Sequence, residues 1–125
     1  MRQHRTSVDL PSSLVDAVRQ QALAHGTNVS NLFFHWATTA ARLAVEGQGH
    51  LLPQQHGLRR DSLGDVREVR WLQSKEDYAR YQALIMGAGS SMAAALQAAA
   101  EAYVEAGGDA VMMAWPPKSA YSAAA

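Results

Sequence analysis

RTSVDLPSSLVDAVRQQALAHGTNVSNLF, residues 5–33, decides the fold. It opens on a short alternating run. Thr6, Val8 and Leu10 fall on one side and Arg5, Ser7 and Asp9 on the other, because strand side chains alternate with period two. Pro11 ends the run, since proline has no amide to continue a ladder. Ser12 and Ser13 are placed to cap a helix whose apolar stripe is Leu14, Ala17, Val18, Ala22 and Leu23. Gly26 stops that helix as a C-terminal cap, and Asn28 starts another. The second helix is expected over residues 29–43, with Leu32, Phe33, Trp36, Ala37, Ala40 and Leu43 on its apolar face.

One strand and two helices do not close a core. The strand has two unpaired edges, and each apolar helix face lacks a cover. The unit therefore predicts a second copy, and one lies 63 positions downstream, from Gly26 to Gly89, without a gap. Val69 and Trp71 stand for Thr6 and Val8, and Arg70 for Ser7. Tyr81 and Ile85 stand for Val18 and Ala22, Ser91 for Asn28, Leu96 for Phe33, Ala100 for Ala37 and Tyr103 for Ala40. Few identities survive, but apolar stays apolar, turn stays turn and cap stays cap.

Strand, helix, glycine turn and helix, with a capping residue two places after the glycine, resembles the ribbon-helix-helix superfamily of bacterial and phage DNA-binding proteins. VDLPSSLVDAVRQQALAHGTNVSNLF is similar to the Arc-like pattern; VRWLQSKEDYARYQALIMGAGSSMAAAL is similar in its helices and less so at the end of its strand. The resemblance covers residues 4–43 and 67–106. It implies a mainly α fold in which two ribbon-helix-helix units form an intramolecular pseudo-dimer around a two-stranded antiparallel β-ribbon. The division expected is residues 1–43 as first unit, 44–66 as linker, 67–106 as second unit and 107–125 as tail.

The bulk properties fit one small domain of 125 residues. There is no cysteine, hence no disulfide or thiolate metal site, which agrees with a reducing cytoplasm. Neither a signal-peptide core nor a membrane-length apolar run is expected. Lysine plus arginine balance aspartate plus glutamate at 11 each, unlike the basic surplus usual for a nucleic-acid binder. The balance is uneven. Arg2, Arg5, Arg19 and Arg42 outweigh Asp9 and Asp16 by two in the first unit. In the second, Arg67, Arg70, Lys75 and Arg80 fall one short of Glu68, Glu76, Asp77, Glu101 and Glu105.

Residues 1–4 read as a mobile arm from which Arg2 and His4 can touch a DNA backbone. Phe33, Phe34, His35 and Trp36 in succession suggest a helix buried on two sides. The linker, broken by Gly47, Gly49, Pro53, Gly57 and Gly64, is expected to anchor through Leu51 and Leu52, with Arg59 and Arg60 in reach of phosphate. The second strand is expected over residues 67–72, with Val69 and Trp71 inward and Glu68, Arg70 and Leu72 outward. Ser74 caps a third helix whose stripe is Tyr78, Tyr81, Leu84, Ile85 and Ala88; Ser91 caps the fourth. In the tail, Val111, Met112, Met113 and Trp115 either pack back or bind a protein partner.

A two-stranded ribbon fits the major groove of B-DNA. The resemblance makes its outward residues the base readers: Arg5, Ser7 and Asp9 on one strand, Glu68, Arg70 and Leu72 on the other. It likewise gives phosphate contacts to the start of each second helix, at Asn28, Val29 and Ser30 and at Ser91, Met92 and Ala93. Asp9 and Glu68 depart from what a polyanion favours, and Gln73 stands where Leu10 packs. The function expected is sequence-specific binding of double-stranded DNA by a cytoplasmic transcriptional repressor or a plasmid or phage accessory protein, with self-association on DNA as a further possibility. The alternative is a protein-interaction module of the same fold, as in an antitoxin. No nucleophile–base pair, paired acids or histidine cluster suggests an enzyme, a metal or a cofactor.

Overall fold

The computed structural model describes residues 3–53, 65–109, 113 and 115, and for residues 3–6 and 72 the backbone alone. Its element order is β1 (Gln3–Pro11), α1 (Ser12–Ala24), α2 (Val29–Val45), a 3-10 turn (Gly49–Leu51), β2 (Val66–Ser74), α3 (Lys75–Gly87) and α4 (Met92–Glu105). The described residues are thus mainly helical, with four α-helices and one two-stranded sheet. β1 and β2 pair antiparallel from Gln3 opposite Ser74 to Pro11 opposite Val66. Each of β2, α3 and α4 begins 63 residues after β1, α1 and α2.

The ribbon turns one face to the core. Val8, Leu10, Val69 and Trp71 are buried, while Ser7, Glu68 and Arg70 on the opposite face are exposed. Alternation alone sets this division, because adjacent strand residues point to opposite faces. α2 carries the centre of the core: Leu32, Phe33, Trp36, Ala37, Ala40 and Leu43 are all buried. Trp36 meets Phe33 and Tyr103 edge-on, with ring centroids 5.0 and 5.5 Å apart, so the second helices of both runs interlock. α1 packs on α4 and α3 on α2, which crosses the two runs over one another. The His25 imidazole Nε2 donates to the Gly107 carbonyl at 3.0 Å, closing α1 against the end of α4.

The turns follow their sequence signals. Gly26 and Gly89 have φ of 74° and 88°, the left-handed region that glycine enters without a Cβ clash. The amides of Thr27 and Ser90 then reach back to the carbonyls of Ala22 and Ile85, which satisfies orphan acceptors at each helix end. Asn28 Oδ1 accepts from the Asn31 amide at 2.9 Å; Ser91 Oγ and Ser74 Oγ accept from Ala94 and Asp77, each at 3.1 Å. Leu51 and Leu52 are buried as the linker's anchor, and residues 54–64, with Arg59 and Arg60, lie outside the described residues.

Several expectations need correction. Gln3 and His4 belong to β1, because β2 extends to Ser74 and offers them partners. Neither serine caps α1: Pro11 precedes the helix without a side-chain cap, and the Ser12 amide instead donates to the Asp65 carbonyl, prolonging the ladder by one bond. The fully buried stripe of α1 is Val15, Val18 and Ala22; Leu14 packs half-buried against the core, and Leu23, 71% exposed, lies outside it. Phe34 and His35 are exposed, so α2 is buried over one broad arc that leaves these two outside. On α3 only Ile85 is fully buried, and Tyr78, Tyr81, Leu84 and Ala88 are half-buried. In the tail, Met113 and Trp115 take the first of their two expected outcomes and pack back into the core; Val111 and Met112 lie outside the described residues. No single helix among the described residues is long and apolar enough to cross a membrane.

Candidate nucleic-acid interface

The outer face of the ribbon brings the expected base readers together. Ser7 lies opposite Arg70, Asp9 opposite Glu68, and the backbone of Arg5 opposite that of Leu72. The antiparallel ladder sets opposed side chains close enough to interact, with diagonal neighbours still in reach of long ones. Glu68 uses that diagonal. Its Oε2 accepts from Ser7 Oγ at 3.2 Å across the strands, and its Oε1 accepts from Arg70 Nε two residues along its own strand. One carboxylate therefore organises the middle of the face. The ribbon reading of the sequence named these residues but not this link, which needs the register to be known.

The expected phosphate contacts flank the ribbon. The Asn28 side chain holds the Asn31 amide, and the first intrahelical bond runs from the Leu32 amide to the Asn28 carbonyl. The amides of Val29 and Ser30 precede that bond, and the helix dipole adds partial positive charge there. Ser30 Oγ donates to the Arg70 carbonyl at 3.0 Å, which ties the start of α2 to the middle of β2. At the start of α4, Ser91 caps in the same way and Ala93 is exposed, but Ala93 has no hydroxyl with which to repeat the tie. The Met92 side chain is buried in the core, which leaves the expected contact there to its backbone amide.

Arg19 is the residue that sequence reasoning did not assign. It is exposed on α1 and lines a recess of about 260 Å³ with Asn28, Val29 and Ser30. The cation thus adds to the positive end of α2. Its counterpart on α3, 63 positions on, is Gln82, so the two helix starts differ in charge. The signal available beforehand was the positive surplus of the first unit.

A second recess, about 550 Å³, lies between the 3-10 turn and the end of α3, lined by Ala44, Gly47, Gly49, His50, Ala83, Leu84, Gly87 and Ala88. Ala88 stands at the counterpart of His25, whose ring at the other end bonds the Gly107 carbonyl. Among the described residues no group of three histidine, cysteine, aspartate or glutamate side chains is placed to hold a metal ion. In comparisons with family models, curated proteins and solved structures, nothing matches this chain.

Proposed function

We propose that this chain binds double-stranded DNA by laying the β1–β2 ribbon in the major groove, as a transcriptional repressor or a plasmid or phage accessory protein. In this reading two ribbon-helix-helix units fold as an intramolecular pseudo-dimer. The observation that carries it is a coincidence of two spacings. The sequence repeat and the element starts are offset by 63, and one ladder pair, Ser7 and Arg70, is separated by that same number. Positions that are both repeat counterparts and ladder partners lie on a local two-fold axis, as equivalent residues do in a symmetric dimer. The ribbon is then centred on Ser7 and Arg70, with the starts of α2 and α4 flanking it.

The zero formal charge and the carboxylates of Asp9 and Glu68 favour a second reading, a protein-interaction module of the same fold. The burial of Met113 and Trp115 weakens it by removing part of the surface that such a partner was expected to use. A mobility shift with random genomic fragments separates the two. DNA binding that falls by about 1–3 kcal/mol with Arg70→Ala, or with Arg5→Ala, supports the ribbon. Unaltered affinity in the double variant removes the ribbon from the mechanism and leaves the protein-interaction reading. Sedimentation tests the intramolecular arrangement: a folded monomer at low concentration supports it, and an obligate dimer with β1 paired to β1 rejects it.

A further inference from the structure

We propose, resting on the DNA-binding reading, that Glu68 is a positioning residue that sets the middle of the ribbon to read one G·C base pair. Its charge looks wrong for a surface meeting phosphates, yet its two oxygens are both engaged by would-be base readers. Arg70 donates from Nε to Oε1, and Ser7 donates from Oγ to Oε2. Each bond removes one choice from the donor. With Nε occupied, the guanidinium presents its two terminal nitrogens, the edge that matches the O6 and N7 acceptors of guanine. With its proton directed at Glu68, the Ser7 hydroxyl offers lone pairs outward and accepts an N–H; the N4 amino group of cytosine is such a donor.

Those two preferences belong side by side. Ser7 and Arg70 are opposite one another in the ladder, and guanine acceptors and the cytosine amino group are adjacent along the major-groove edge of one pair. The Arg70 carbonyl is also held by Ser30 Oγ, so the backbone bearing the guanidinium is fixed to the start of α2. Thymine offers an acceptor and a methyl group where cytosine offers a donor, and it is disfavoured beside Ser7. A carboxylate that merely repelled phosphate would have no reason to prefer one base.

The test is selection from DNA randomised at the central positions, read for wild type, Glu68→Ala and Glu68→Gln at one salt concentration. Both variants remove the charge, but only glutamine keeps a carbonyl to accept from Arg70 Nε. Wild type is expected to enrich G·C over A·T at one central pair by roughly tenfold, the equivalent of one bidentate contact. Glu68→Gln should retain that preference, and Glu68→Ala should reduce it to below about threefold while binding random-sequence DNA more tightly. Melting curves matching wild type exclude a folding defect. If the two variants share the same central preference, whether kept or lost, the positioning role is overturned while DNA binding stands. If wild type binds no DNA, the ribbon reading itself fails and this proposal falls with it.

Discussion

Replacing Trp36 with alanine tests the centre of the core. Trp36 is 2% exposed and its ring bridges Phe33 on its own helix and Tyr103 on α4. Truncation removes the indole and leaves a cavity between α2 and α4, where backbone on both sides limits collapse. Buried tryptophan truncations cost about 3–5 kcal/mol, a figure that includes two edge-to-face contacts worth about 0.5–1.5 kcal/mol each. A 125-residue chain holds about 6–19 kcal/mol in all, so from about a sixth to about four fifths of the stability is at stake. In urea, at about 2 kcal/mol per molar, the unfolding midpoint should fall by about 2 M. Circular dichroism is the right probe, because the substitution itself changes fluorescence. Phe34→Ala is the internal control: Phe34 is next along the same helix turn but 42% exposed, and its loss should stay within about 0.5–1 kcal/mol. Equal midpoints for the two variants, or an unchanged midpoint for Trp36→Ala, would refute the phase assigned to α2.

Two glycines should respond with opposite signs. Gly26→Ala forces φ near +74° on a side chain and should destabilise by about 1–2 kcal/mol, whereas Gly87→Ala meets no atom within 4 Å at the end of α3 and should stabilise by about 0.5–1 kcal/mol; thermal melts read both. Asn28→Ala and Ser91→Ala each remove an N-cap and should cost about 1 kcal/mol in chemical denaturation, with Ser12→Ala near zero because its amide, not its hydroxyl, is engaged. Burial raises the Tyr103 phenol above its ordinary 10 and does the same at Tyr78. Both phenols are neutral in the folded and unfolded chains below pH 10, so their effect there is constant. Above it the unfolded chain ionises first, and stability falls until the pH passes the raised pKa of the folded state. Tyr103→Phe should flatten that alkaline loss, and it should fold at least as well at neutral pH, since the Tyr103 hydroxyl has no hydrogen-bond partner among the described residues.

The parts of this fold legible in the sequence were those fixed by local chemistry. Gly26 and Gly89 mark turns because only glycine enters their backbone region cheaply, and Asn28, Ser74 and Ser91 mark helix starts because their side chains reach an amide three residues on. The face of α2 was legible because Trp36 and its neighbours leave only one apolar arc. α1 was not, because Leu14, Val15, Ala17, Val18, Ala22 and Leu23 support two overlapping stripes, and the choice of Val15 over Leu23 is made by what packs on the helix. The start of α1 escaped for a related reason: the group that satisfies Ser12 is Asp65, far away in the chain. Gln73 is the plainest tertiary override. It is 2% exposed at the position where Leu10 packs in the other strand; its Oε1 accepts from Trp71 Nε1 at 2.9 Å, while its Nε2 is buried without a hydrogen-bond partner among the described residues. In the candidate site, the outward residues followed from alternation, whereas the double grip of Glu68 required a register that periodicity does not set.

The antiparallel pairing of β1 with β2 also imposes an order of events at the ribosome. The second strand is synthesised 63 residues after the first, which at about 5–20 residues per second is a delay of roughly 3–13 s. α1 and α2 can form within that interval, since helices assemble in about a microsecond. β1 meanwhile has no partner of its own, and the Trp36 ring has no Tyr103 to cover it. On a crowded polysome the strand within reach is the β1 of a neighbouring nascent chain, which an unpaired edge is suited to capture. Slower translation therefore lengthens the time for which the edge of β1 stays open to such a partner.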